Sequence, residues 1–179
     1  MDTITKGYSQ PYAPRISIRA VAVGAVVALG INAILMELAG ALGLWRFGVI
    51  DGAWVRDVGV ELAIWSVLAW VVAVFAASAY TSRAADVPYG RDGAVHGIAT
   101  WGVATLMAGV GCAMAMVAMW YTGFLTRDAF EAMGRDAMWV GFAADLLALV
   151  AGATGGLVGV RQPLTGPEVR YRTPADVTP

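Results

Sequence analysis

The sequence predicts an all-α integral membrane protein, a bundle of four transmembrane helices, on three observations. Apolar residues make up 59% of the chain and charged residues only 14%, against about half and about one quarter in a soluble domain. Glycine is abundant, at 22 of 179 residues, which suits helices whose backbones approach closely in lipid. Four apolar stretches follow one another at about 20–44, 58–80, 94–121 and 139–160, each at or above the roughly 20 residues that cross a hydrocarbon core of about 30 Å. A soluble bundle would carry a polar stripe along each helix, yet the run from Leu62 to Ala79 is apolar on every side apart from Ser66 and Ser78.

Residues 1–19 form an amino-terminal arm with Lys6, Arg15, Arg19, Pro11 and Pro14. The apolar stretch behind it exceeds the about 7–15 residues of a signal-peptide core and contains Asn32 and Glu37, so it reads as a retained first span. The connection Arg46 to Asp57 holds Gly48, Asp51 and Gly52 and reads as an extracytoplasmic loop. The second span runs to Tyr80 and closes at Arg83. A short polar turn, Tyr89-Gly-Arg-Asp-Gly, then opens the third span, which carries the chain's only histidine, His96. Gly93, Gly97, Thr100, Ala104 and Gly111 fall on one side of that helix, a smooth seam flanked by His96. Met107, Met114, Met116 and Met119 cluster in its outer part and suit gap filling. Cys112, the single cysteine, has no internal disulfide partner.

Between the third and fourth spans, Thr126 to Met133 predicts a short interfacial helix capped by Thr126 and stopped by Gly134, with Phe130 and Met133 resting on the bundle or the membrane surface. On the fourth span Asp145 shares a face with Gly141, Ala148, Gly152 and Gly159. Two seams lie side by side there, Gly152-x-x-x-Gly156 and Gly155-x-x-x-Gly159, and one of them is expected to face a partner. The tail, 161–179, has Pro163, Pro167, Pro174 and Pro179 without apolar periodicity and reads as extended.

Arg56-Asp57 precedes the second span and Arg83 closes it; Arg135-Asp136 precedes the fourth and Arg161 closes it. This weak repeat implies two parallel-repeat helical hairpins, read as duplication of a packing unit in preference to a transporter repeat. Eight Lys and Arg lie on the arm, the middle connection and the tail, against four on the other two connections. Both termini are therefore expected in the cytoplasm, across a bacterial inner membrane. Trp45, Trp54, Trp120, Tyr121 and Trp139 fall at the opposite interface, with Tyr12, Tyr80 and Tyr89 on the cytoplasmic side.

Polar residues within spans are costly and mark candidate sites. Glu37 and Asp145 each lie about 10 Å in from the outer end of their spans at 1.5 Å per residue, and Glu61 lies a little nearer the surface. The three could bind a cation or pass protons. The simpler reading pairs them with Arg46 and Arg56, or bonds Asp145 to a neighbouring helix. No metal site is expected, since neither Glu-x-x-His nor a histidine pair is present. His96 could ligate haem or bacteriochlorophyll with a second ligand from Met, Tyr or Cys112. The preferred reading is a structural histidine whose ring nitrogens are satisfied by Asp92 one turn before and Thr100 one turn after.

The residues Gly90-Arg-Asp-Gly-Ala-Val-His-Gly-Ile-Ala-Thr-Trp101 resemble the signature of a group of small bacterial multi-pass membrane proteins, some loosely labelled PhnA-like. In these a Gly- and Ala-rich span ends in Arg, and a loop with Asp-Gly-Ala-x-His-Gly opens the next. The resemblance covers about the middle third of the chain, including Ala76 to Arg83. It implies a multi-pass membrane protein and no particular reaction; Glu37 and Asp145 lie outside it.

Function is expected to be non-enzymatic, because no Ser/His/Asp set, phosphate-cradling loop or water-facing domain is present. The leading expectation is a structural or accessory subunit of a larger membrane assembly, or a self-associating scaffold, with lipid and other membrane subunits or itself as partners. The alternatives are a small ion or proton carrier and a haem or pigment binder. Nucleic acid is not an expected partner, for the net charge is −1 and no basic patch exists.

Overall fold

The computed structural model describes residues 16–44, 52–122 and 127–160, and for 52–59, 119 and 127–137 the backbone alone. Four helices account for nearly all of it: α1 (Ile18–Ala41), α2 (Gly52–Ala84), α3 (Gly90–Tyr121) and α4 (Arg127–Gly159). Each contains a stretch long and apolar enough to cross a membrane, and no strand is present among the described residues. The chain is a four-helix, multi-pass membrane protein.

The helix ends follow from local chemistry. Ser17 caps α1, its Oγ accepting the Ala20 N–H at 3.4 Å. Gly43, at φ 74°, ends it. The Leu44 N–H reaches the Ala39 carbonyl at 3.0 Å and the Gly43 N–H reaches that of Gly40 at 2.9 Å, the paired bonds of a Schellman turn. α2 closes the same way with Asp86, at φ 51°, in the glycine role. There Val87 N–H reaches the Ser82 carbonyl at 3.5 Å and Asp86 N–H that of Arg83 at 3.2 Å. Val87 is buried beneath the turn, and Pro88 cannot prolong the helix. α3 starts from extended Tyr89, with Asp92 in its first turn, where a negative charge complements the helix dipole.

One expectation fails at α4. The helix runs unbroken through Gly134, so no separate interfacial helix ends there. A glycine stops a helix by turning to positive φ, and among the described glycines only Gly43 does so. Inside a helix it costs about 1 kcal/mol, less than a continuous ladder recovers. Residues 1–15 of the arm, Trp45, Arg46, Thr126 and the tail lie outside the described residues, as do the side chains of Trp54, Arg56, Phe130 and Met133.

Contacts between named residues give the arrangement. Trp65 of α2 meets Leu35 of α1, Ser82 and Ser78 of α2 meet Gly93 and Gly97 of α3, and those glycines meet Gly156 and Gly152 of α4. Successive helices are thus antiparallel, and the two hairpins α1–α2 and α3–α4 run the same way. α2 and α3 form the middle; α1 and α4 flank them and do not touch each other.

The interior is built from small side chains. Ala25, Ala28, Ala77 and Ala104 form its apolar centre, with Val27, Trp70 and Val103 packed against it. Large apolar side chains such as Ile34, Leu68 and Leu146 point outward, as expected where lipid is as apolar as leucine and packing alone joins helices. Beyond Ala104, α3 leaves its neighbours: Leu106, Val110, Met114 and Val117 are all exposed, and a Cβ at Gly109 or Gly111 would meet nothing within 4 Å. Gly111 therefore does not belong to the packed seam. Gly141 is corrected likewise, since it lies open in the amino-terminal half of α4, before the point where α4 becomes packed.

Candidate functional site

The polar side chains that the fold buries most completely gather at one end of the bundle, around the start of α3. Asp92, His96 and Thr100 recur every four residues on α3 and so share a face. All three are buried, as are Ser78, Thr81 and Ser82 of α2. Ser78 Oγ donates to the Gly97 carbonyl at 3.2 Å and Ser82 Oγ to the Gly93 carbonyl at 3.1 Å. These two carbonyls are accessible because the residues bearing them lack side chains.

On the other side of the same glycines lies α4. A Cβ on Gly93 would strike the Gly156 carbonyl oxygen, and one on Gly97 the Gly152 carbonyl oxygen. Gly155 and Gly159 are equally tight against the carbonyls of Phe75 and Ala79 on α2. Both small-residue seams of α4 are thus consumed inside the bundle, one on α3 and one on α2. The expectation that one faces a partner is overturned: the two seams are offset by three residues, about 60° around the helix, and so address two neighbouring helices at once.

His96 is 2% exposed, and both its ring nitrogens are engaged. Nε2 lies 3.0 Å from the Ser17 backbone nitrogen, whose N–H it must accept; Nδ1 lies 2.8 Å from the Asp92 carbonyl oxygen, to which it must donate. That combination fits only a neutral ring with its proton on Nδ1. Haem or bacteriochlorophyll does not fit here, because no ring lone pair is left for a metal. Asp92 acts through its main chain, and the expected partner Thr100 is replaced by Ser17. The Thr100 hydroxyl points away from the ring, lying 2.9 Å from the His96 carbonyl and 3.0 Å from Thr81 Oγ1, which itself donates to Ala77 at 2.9 Å. Gly24 of α1 admits this pair, since a Cβ there would overlap Thr81 Oγ1.

Sequence reasoning had no access to Ser17, which lies 79 positions from His96. The four-residue spacing of Ser78 and Ser82, matched by that of Gly93 and Gly97, was the signal that could have located the α2–α3 contact.

The three carboxylates Glu37, Glu61 and Asp145 are not brought together as a cluster. Glu37 on α1 and Glu61 on α2 are exposed, and Asp145 sits on α4, which α1 does not touch. Asp145 is half-buried and its Oδ1 accepts the Trp70 Nε1–H at 3.2 Å, the bond to a neighbouring helix that the simpler reading expects. Among the described residues no three His, Cys, Asp or Glu side chains gather as metal ligands would. Among the described residues three buried polar atoms lack hydrogen-bond partners: Asp92 Oδ2, Trp101 Nε1 and Thr105 Oγ1.

No protein-family model, curated protein or solved structure matches the chain.

Proposed function

We propose that this chain is a non-enzymatic membrane protein acting as a structural or accessory subunit of a larger assembly, or as a self-associating scaffold, in a bacterial cytoplasmic membrane with both termini inside. The observation that carries this reading is the outer half of α3. It is unpacked where the first half of the helix is tight against α2 and α4, with Leu106 72% and Met114 70% exposed and Gly109 and Gly111 bare. A helix face of that kind accepts another membrane helix closely. The orientation is supported by the excess of Lys and Arg on the arm, middle connection and tail, and by exposed Trp120, Tyr121 and Trp139 at the end remote from His96.

Mild-detergent extraction from the native membrane tests the proposal. A particle well above the 18.7 kDa of one chain, after allowing for detergent, is the expected result; a monomer at every concentration overturns it. Tags at the two ends should report the same compartment.

A second reading, an ion or proton carrier, is favoured by one observation: Asp145 keeps a carboxylate half-buried within an apolar span. Proteoliposome flux that falls with Asp145→Asn or Glu37→Gln is its expected signature, and flux unaffected by both substitutions ends it.

A further inference from the structure

The amino-terminal end of α1 is held to α3 by a bond that exists in only one protonation state of the ring that makes it. The Ser17 N–H donates to His96 Nε2 at 3.0 Å, while Nδ1–H is committed to the Asp92 carbonyl at 2.8 Å. Ser17 is also the residue whose Oγ caps α1, so the contact joins the start of one hairpin to the second turn of the other's first helix. We propose that His96 is a proton-binding site that works as a latch: the neutral ring holds the Ser17 N–H, and protonation releases it and frees the start of α1.

The chemistry runs as follows. A proton taken from water onto Nε2 turns the acceptor into a donor facing another donor. The Ser17 bond is lost, and the new Nε2–H requires an acceptor. The buried Asp92 Oδ2, on the same face one turn earlier, accepts no hydrogen bond, although Asp92 is only 6% exposed. It is the acceptor assigned to the released ring. Because the latched state binds fewer protons than the released one, latching weakens as pH falls.

Among the described residues the charged and titratable groups at this end of the bundle are few, and the α2–α3 turn contributes Asp86 and Tyr89, both exposed. On α1 the charged groups are Arg19, exposed beside Ser17, and Glu37, far along the helix; on α3 they are Asp92 and exposed Arg91. From α2, the neighbouring stretch offers Ser78, Thr81 and Ser82, which do not titrate, with Tyr80 and Arg83 exposed. From α4, residues 146–160 contain no titratable side chain. The cover over the ring is thin, since Ser17 is half-buried and Ile16 before it is 50% exposed.

The single histidine makes the test direct. Full-length protein labelled with 15N-histidine in lipid nanodiscs, with a nitroxide on Ile16→Cys in a Cys112→Ala background, reports ring protonation and release of α1 together. Between about pH 8 and pH 5, the expected result is an Nδ1–H tautomer giving way to a doubly protonated ring, with the nitroxide gaining mobility at the same midpoint. His96→Gln should show mobility that does not change with pH. Asp92→Asn should retain the neutral tautomer and release several-fold less at the acid end. An Nε2–H tautomer, a ring that stays neutral, a ring that titrates while the label stays fixed, or a His96→Gln protein that still responds to pH overturns the proposal. The wild-type readings decide the matter even if a substitution prevents folding.

Discussion

The Asp145 carboxylate and the Trp70 indole show how a single polar pair is tolerated in an apolar span. The carboxylate is expensive in lipid, yet it is only half-buried and one oxygen accepts the indole N–H at 3.2 Å. Interhelical hydrogen bonds of this kind contribute about 0.6 kcal/mol on average and at most about 1.7 kcal/mol. A double-mutant cycle with Trp70→Phe and Asp145→Asn, read by reversible unfolding in detergent, is expected to give a coupling in that range. A coupling indistinguishable from zero would show that the indole packs without holding the carboxylate. The same scale applies to Ser78 and Ser82: each Ser→Ala change should cost about 0.6 kcal/mol, because each removes a donor from a glycine carbonyl that then stays buried.

Among the elements, α3 serves two purposes along its length. Its first half lies between the serines of α2 and the glycines of α4, with α1 on its remaining side. Its second half is exposed nearly throughout. Glycine substitutions separate the halves. Gly97→Ala drives a Cβ into the Gly152 carbonyl oxygen, a backbone atom that cannot rotate away, and should cost about 1–3 kcal/mol or more. Gly109→Ala meets nothing within 4 Å and should be neutral or slightly stabilising, since alanine is the better helix former by about 1 kcal/mol. Steric-trap or denaturant unfolding of the two variants checks the contrast; equal effects would mean that α3 packs along its whole length. The methionines read as gap fillers do not fill gaps within the bundle, for Met107, Met114 and Met116 are exposed.

For the whole molecule, an interior of alanine, glycine, serine and threonine within a shell of leucine, valine and isoleucine identifies lipid as the surrounding solvent. Cys112, exposed midway along the free half of α3, reports on that shell. In native membranes an apolar maleimide should label it and a charged, impermeant one should not. Slower labelling in the membrane than after full detergent solubilisation is expected if a partner helix covers α3. Rapid labelling by the charged reagent would contradict the membrane-spanning arrangement.

Much of this was legible in the chain itself, for identifiable reasons. The four spans follow from length and apolarity, since backbone hydrogen bonds must be closed within each segment and about 20 residues of helix are needed to do it. The Gly93/Gly97 seam, the Gly152 to Gly159 seams and the central place of His96 follow from helical periodicity. Periodicity defines faces but not neighbours, and that is where tertiary structure decided. Only the packed bundle assigned α4's two seams to α3 and α2, removed Gly111 and Gly141 from the packed set, and divided Glu37, Glu61 and Asp145 among separate positions. It also gave His96 its second partner. A hydrogen bond between residues 17 and 96 depends on two helices being brought side by side, and no local pattern in either encodes it.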